Sequence, residues 1–378
     1  VSAPDSAVAD AATSDRRFMA LALSLGRRGL GRTWPNPAVG AVVVKNGEIV
    51  GRGWTQPGGR PHAEIEALRR AGEAARGATL YVTLEPCSHH GKSPPCADAV
   101  ITSGIARVVS ALQDPNPEVL GAGHARLRSA GIAVDVGIGG AAARRDHAGH
   151  IRRMREGRPQ VMIKLAISAD GKAAAAGRLR VAITGDAVRN RVHLLRAQSD
   201  AIMIGSGTVL ADDPVLTCRL PGMVKMSPTR VVLDSALRLP IRSRLVQTAR
   251  DTPLWVIAAD HAPPASEAAL RKHGAEVVRT AEKNGRLDLT AVLKLLAARG
   301  VTRLMVEGGP TLASAFIAAD LVDEVLLFHS PVRVGDDGLA ALEPRARTML
   351  DQHLKCISSE QVGPDRQECY ERESLADV

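Results

Sequence analysis

Four side chains within 35 residues carry the densest chemistry of this sequence: His62 and Glu64 in Pro61-His62-Ala63-Glu64, and Cys87 and Cys96, which bracket Ser88-His89-His90-Gly91-Lys92-Ser93-Pro94-Pro95. One imidazole and two thiols form a nitrogen and sulfur donor set suited to Zn²⁺, and three protein ligands leave a fourth tetrahedral position for water. Water held there drops in pKa from about 15.7 to roughly 7, which yields a hydrolytic nucleophile at neutral pH. Glu64 is the spare carboxylate that would carry protons for it. His62 and Glu64 are two residues apart, nearly opposite on a helix, so both reach one metal only if the helix meets it end-on. Pro61 ahead of the pair, and Ile65 and Leu68 running at helical spacing to Gly72, place a helix start there. Pro94-Pro95 leads in the same way into a second helix near Cys96. The partial positive charge of helix N-termini favours thiolate over thiol.

Two cysteines at this spacing also suit buried apolar positions or a surface disulfide. Five cysteines in 378 residues, with no apparent secretory leader, argue against a disulfide framework. His-x-Glu followed by Pro-Cys and a further Cys is the zinc-deaminase signature. It closes as Pro-Cys-x-x-Cys in deaminases of nucleosides and nucleic acids, whereas eight residues separate Cys87 from Cys96 here. Together with Thr33-x-Pro35-Asn36-Pro37-x-Val39-Gly40, Thr83-Leu84-Glu85-Pro86-Cys87 and Gln113-Asp114-Pro115-Asn116-Pro117, the long spacer resembles the deaminase half of the bifunctional riboflavin-biosynthesis deaminase/reductases. The resemblance implies a ribosylated diaminopyrimidinone 5′-phosphate as substrate, losing a ring amine as ammonia. It implies His62, Cys87 and Cys96 as zinc ligands, Glu64 as proton shuttle, and Asn36, His89 and Lys92 as substrate contacts.

These groups need strands and helices to hold them. A helix is expected over 15–25, with Val1–Ser14 frayed, then a strand at 39–44 joined by the Asn46-Gly47 turn to one at 49–54. Strands at 79–84, 107–111 and 132–136 alternate with helical runs, a layered α/β pattern with sites at strand ends. Gly137-x-Gly139-x-x-Ala142 imitates a dinucleotide fingerprint but leads into a basic helical run, so it reads as an ordinary turn. Gly157-Arg158-Pro159 breaks the chain into domains of 15–157 and 158–378.

Beyond that break, strands are expected at 161–167, 201–204, 230–233, 254–258, 277–279, 303–306 and 325–328, with a helix from about 187 to 198. Two of them run into glycine turns, Gly205-Ser206-Gly207-Thr208 and Glu307-Gly308-Gly309-Pro310, which expose backbone N–H groups able to hold phosphate and could form two lips of a nucleotide cleft. Lys164 with Ser168-x-Asp170-Gly171, Leu195-Arg196-Ala197, Gly207-Thr208-Val209-x-x-Asp212-Asp213-Pro214-x-Leu216-Thr217-x-Arg219, and Val306-Glu307-x-Gly309-Pro310 resemble the reductase half of the same family. That half is similar in fold to dihydrofolate reductase and implies NADPH as the reductant that opens a ribose ring into a ribityl chain. By the same resemblance Ile167, Thr208, Asp212, Ser235, Gly309, Pro310 and Thr311 face the cofactor. Arg196, Arg219 and Glu307 hold the substrate, and Lys164 and Asp212 move protons at the sugar. The pattern departs at Arg180-Val181-Ala182-Ile183-Thr184, where the family usually carries a Trp in place of Ala182, and in the polar tail from about Arg345, which holds Cys356 and Cys369 as expected free thiols.

The fold class expected is therefore α/β, a cytidine-deaminase-like three-layer domain followed by a dihydrofolate-reductase-like one. The formal charge is +9, of which +6 lies in residues 1–157, and only three Phe, two Tyr and three Trp are available for base stacking. A small phosphorylated pyrimidine explains that basic excess without nucleic acid. No apolar run approaches the roughly 18 residues of a membrane span. A cytoplasmic homo-oligomer is the expected setting. The rival readings are a deaminase whose reductase half is impaired, and a zinc deaminase of RNA or DNA, against which the second α/β domain argues.

Overall fold

The computed structural model describes residues 4–91, 93–178 and 181–372, with the backbone alone for 4–12 and 178. The chain divides into two compact units, with the break between Gly157 and Arg158.

The first unit is one five-stranded sheet with helices on it. Its strands are β1 (Gly40–Lys45), β2 (Glu48–Trp54), β3 (Thr79–Val82), β4 (Arg107–Ser110) and β5 (Ala133–Val136), in the order β2-β1-β3-β4-β5. β1 pairs antiparallel with β2 and β3, whereas β3, β4 and β5 are parallel. Ala41–Val44 of β1 are all buried, as a β-branched run covered on both faces requires. Asn46 (φ 52°) and Gly47 (φ 80°) make the left-handed pair that a two-residue hairpin needs. Helix α1 spans Pro4–Gly26, so residues 4–14 are helical where fraying was expected. Pro at the start and four alanines before Thr13 favour that extension, and Phe18, Met19, Ala22 and Leu25 bury its far end. Helices α2 (Ala63–Ala71), α3 (Cys96–Thr102), α4 (Ala122–Ser129), α5 (Gly140–Asp146) and α6 (Ala148–Glu156) complete the unit. Gly139 caps α5 against α1, where a Cβ would meet Met19 Cγ at 2.8 Å, a packing role for the imitation fingerprint.

The second unit holds a nine-stranded sheet. Its strands run in the order 276–280, 254–259, 229–233, 201–205, 303–306, 160–167, 324–329, 365–371, 355–362. The first seven are parallel and the last two add an antiparallel hairpin. The strand Gln160–Ile167, hereafter β6, lies centrally between Arg303–Val306 and Glu324–His329. The tail thus has a defined place: a helix Pro344–His353, then an exposed edge strand and a half-buried one. Cys356 and Cys369 form no disulfide and are exposed and buried respectively. Asp365, the first residue of the half-buried strand, is buried and accepts the Gly185 N–H at 2.8 Å. Among the described residues no helix is long and apolar enough to cross a membrane.

Candidate active sites

In the first unit His62 is the residue that caps α2, and Glu64 sits in that helix's first turn, so the helix meets the site end-on. His62 Nδ1 lies 3.7 Å from Cys87 Sγ and 3.3 Å from Cys96 Sγ. The three donor atoms fall within 4.8 Å of one another, and among the described residues they form the one cluster of His, Cys, Asp or Glu able to hold a metal ion. Cys96 is the first residue of α3, and its amide donates to Cys87 Sγ at 3.3 Å. Hydrogen bonds from the Cys96 thiol and the His62 ring outweigh burial and bring the Cys87 pKa down to about 4. The two sulfurs therefore share a proton that a soft divalent cation would displace. One imidazole nitrogen and two such sulfurs are the chemistry Zn²⁺ selects, and the donor set fits it. Glu64 is 3% exposed. Burial pushes its carboxyl up to about 7, His62 opposing and Cys87 reinforcing the shift.

Local sequence explains how these groups meet. A Cβ on Gly51 would lie 2.2 Å from Ala67 O, and one on Gly53 2.5 Å from Ala63 O. Only glycines in β2 allow α2 to lie this close to the sheet and bring His62 over it. Those two glycines escaped the sequence reading, although Gly51-x-Gly53 in a strand is the signal for close backbone approach. Asn36 donates to Gly59 O at 2.8 Å, and the same Nδ2 stands 3.4 Å from His62 Nε2. A predicted substrate contact thus also touches a predicted ligand. Glu85, two residues before Cys87, is buried and accepts N–H groups from Asp114 at 3.1 Å, Gly121 at 2.9 Å and His124 at 3.0 Å. That carboxylate ties the 113–124 segment beneath the Pro86-Cys87 turn. His89 Nδ1 is buried without a hydrogen-bond partner, and Lys92 lies outside the described residues.

In the second unit a cavity of about 890 Å³ opens at the carboxyl ends of the central strands, where ligands of parallel sheets bind. Its wall includes the predicted residues Lys164, Arg196, Thr208, Asp212, Arg219, Ser235, Glu307, Gly309, Pro310 and Thr311. Ile167 is the exception: it is buried in the core and does not line the cavity. The strand Ala201–Gly205 feeds helix Ser206–Asp212, and Gly309 caps helix Pro310–Ala318. A Cβ on Gly309 would stand 3.8 Å from Thr208 Oγ1, so the two glycine turns adjoin as lips of one cleft. Arg196, on helix Asp186–Ala197, grips Glu307 with Nε–Oε1 at 3.0 Å and Nη2–Oε2 at 2.6 Å. Burial opposes ionisation of Glu307, but Arg196 overrides it and holds the carboxyl below its ordinary value. Burial lowers the Lys164 ammonium, with Glu307 opposing. Ala182 is exposed on the same wall, and Arg180 beside it lies outside the described residues.

Comparison with known proteins covers both units. The family described as the cytidine and deoxycytidylate deaminase zinc-binding region matches residues 12–112, and the RibD C-terminal domain matches 159–367. The riboflavin biosynthesis protein RibD of Escherichia coli (strain K12) is 43% identical over 367 residues, covering 93% of this chain and 97% of that protein. That of Aquifex aeolicus is 41% identical over 335 residues, covering 87% of this chain and 92% of its own. Among solved structures, Acinetobacter baumannii RibD superposes with a TM-score of 0.85 at 35% identity, over 96% of this chain and 99% of that one. The Thermotoga maritima diaminohydroxyphosphoribosylaminopyrimidine deaminase/5-amino-6-(5-phosphoribosylamino)uracil reductase does so at 0.81 and 33% identity, with 96% and 99% covered.

Proposed function

The chain belongs to the RibD family of bifunctional deaminase/reductases of riboflavin biosynthesis, and from that premise we propose which of its residues perform each half-reaction. Residues 15–157 act as the deaminase domain and 158–378 as the reductase domain. The observation that carries the first assignment is the convergence of His62 Nδ1 and the two sulfurs within 4.8 Å.

In the deaminase site His62, Cys87 and Cys96 hold Zn²⁺, which when bound supplies Lewis acidity and makes a water nucleophile available at neutral pH. Glu64 takes the proton released by that water and passes it to the leaving amine, so that ring C–NH₂ and water become C=O and ammonia. Burial raises this carboxyl in the metal-free chain, and a carboxyl at the first turn of the helix that His62 caps is placed to relay that proton. Asn36 and His89 orient the pyrimidine. Lys92 completes the set.

In the reductase cavity the substrate is the deaminated aminopyrimidine phosphate, and the reductant is NADPH, which supplies a hydride when bound. Thr208, Asp212, Ser235, Gly309, Pro310 and Thr311 hold the cofactor, with Ile167 supporting them from the core. Arg196, Arg219 and Glu307 bind the substrate. Lys164 orients the opened sugar and Asp212 balances charge as its C1′ nitrogen takes a proton. A phosphorylated ligand suits a wall with five arginines.

The test is a coupled assay on the ribosylated diaminopyrimidinone 5′-phosphate. Ammonia release that stops with chelator, followed by NADPH-dependent loss of absorbance, is the expected course. Ammonia release indifferent to chelator, or deamination with no reduction by NADPH, would remove the corresponding half of the assignment.

A further inference from the structure

Helix Asp186–Ala197 turns one face to the reductase cavity: Arg189, Val192, His193 and Arg196, at spacings of three and four, all line its wall. Arg196 is already a substrate residue, and His193 stands half-buried one turn before it. Against that face runs Thr217-Cys218-Arg219, the segment that brings Arg219 into the same wall.

Three hydrogen bonds fix this segment, one at each residue. Thr217 O accepts from Arg196 Nη1 at 3.1 Å, the Cys218 N–H donates to Ser227 Oγ at 3.1 Å, and the Arg219 N–H donates to His193 Nδ1 at 3.3 Å. An amide N–H bound at Nδ1 requires that nitrogen to accept, so the ring is neutral and its proton sits on Nε2. The surroundings favour that form. Burial lowers the pKa of His193, Arg196 and Arg219 add to the effect, and Thr217 O and Glu307 oppose it. Arg219 is exposed, and an exposed arginine keeps much rotamer freedom. Fixing the backbone from which it springs limits where its guanidinium can reach.

We propose that His193 is a positioning residue for the reduction: by accepting the Arg219 N–H it holds Arg219 where the guanidinium meets the phosphorylated pyrimidine. This inference rests on the reading that Arg219 binds that substrate, and it gives His193 no contact with cofactor or reacting atoms. Loss of the acceptor releases the backbone at Arg219, while Arg196 keeps its two bonds to Glu307. Binding of the pyrimidine phosphate then weakens and binding of NADPH does not.

The experiment uses the full-length enzyme as wild type, His193→Ala, His193→Asn, His193→Gln, Arg219→Ala and the double variant His193→Ala/Arg219→Ala. Steady-state kinetics of reduction give separate KM values for the deaminated aminopyrimidine phosphate and for NADPH. His193→Ala is expected to raise the first KM roughly 3- to 10-fold, the worth of one hydrogen bond, with kcat and the KM for NADPH within about twofold. Asn, whose amide oxygen can stand where Nδ1 stood, should recover most of the affinity, and Gln, which reaches the Nε2 position, should not. Arg219→Ala should raise the same KM by more, roughly 10- to 100-fold. Adding His193→Ala to it should change nothing further, because a residue that acts through another contributes nothing once the other is gone. A full His193 effect on top of Arg219→Ala, an equal loss of NADPH affinity, rescue by Gln instead of Asn, or an unchanged KM in His193→Ala would each overturn the proposal. His193→Leu, which keeps volume without an acceptor, serves the same purpose should the alanine variant not fold. An unchanged pyrimidine KM in Arg219→Ala removes the substrate reading beneath the proposal, a failure seen without any His193 variant.

Discussion

The two sites are built on opposite plans. The metal-binding corner draws its donors from 35 consecutive residues, and two helix starts and one strand exit aim them at a point. The reductase cavity gathers its wall from Lys164 to Leu339, across the ends of several strands. A site of the first kind depends on a few atoms at one locus. A site of the second kind depends on a charge network set into a large sheet, where function and stability are harder to separate.

The largest expected effect tests that independence. Cys96→Ala removes one of two sulfurs, so zinc content should fall from one per chain towards none and deamination should drop by on the order of 10³-fold or more. NADPH oxidation with the deaminated intermediate should stay within about twofold, because the two sites are built inside separate compact units and share no residue. Metal analysis with separate assays of the two half-reactions checks it. A parallel loss of reductase activity would break the contrast between the sites.

Next comes Glu307→Gln. The Arg196 and Glu307 side chains are 12% and 9% exposed, and Lys164 shares the same carboxylate field. Removing the one anion leaves buried cations uncompensated, a cost of about 3–5 kcal/mol. Chemical denaturation should show that loss in the second unit together with lost reduction, while zinc content and ammonia release persist. Unchanged stability with lost activity would make Glu307 a purely functional group.

The same contrast explains which parts of the molecule could be read from the chain. His62, Cys87 and Cys96 announce themselves because ligand types and helix-start signals occur together in one stretch. The strands were also readable, since apolar runs such as Val42–Val44 and Ile202–Ile204 are bounded by turn residues. Lys164 in a buried strand signals nothing by itself, and its neighbours Arg196 and Glu307 are 32 and 143 positions away. Only resemblance to a family brought them together. Ile167 is of the same kind: its place beside the motif puts it near the cofactor, while its side chain belongs to the core. Glu85 was hidden for a different reason: its three donors lie 29 to 39 residues away, and no local pattern encodes them. The first part of the N-terminal helix, residues 4–14, was read as frayed because Ala, Asp and Ser read as both helix and loop.

A smaller effect separates chemistry from folding within the deaminase unit. The Glu64 carboxyl is raised from its ordinary 4.5 to about 7 by burial, so the folded chain holds a proton there that the unfolded chain releases. Its contribution to stability is complete below pH 4.5 and is lost as pH rises through 7, by about 3 kcal/mol in all. Metal-stripped wild type should therefore lose stability between pH 4.5 and 7 more steeply than metal-stripped Glu64→Gln. Denaturant titrations of both proteins across that range measure the difference. Parallel curves would show that Glu64 is not held protonated by its surroundings.

The smallest effect addresses the departure from the family in the cavity wall. Ala182 is exposed there, at the position where the resemblance implies an indole, so a ligand ring at this position meets a methyl group instead of a planar face. Ala182→Trp adds an aromatic surface worth about 0.5–1.5 kcal/mol in a stacked or edge-on contact. The indole has room to enter, because the cavity measures about 890 Å³. A two- to tenfold fall in the KM for either NADPH or the pyrimidine phosphate is therefore expected, about what that energy range converts to, and whichever KM falls identifies the ring that passes Ala182. A lower kcat with both KM values unchanged would instead mean that the added ring crowds the reacting atoms. The first result makes the alanine a local loss of affinity in an otherwise complete site; the second makes it part of a differently shaped cavity.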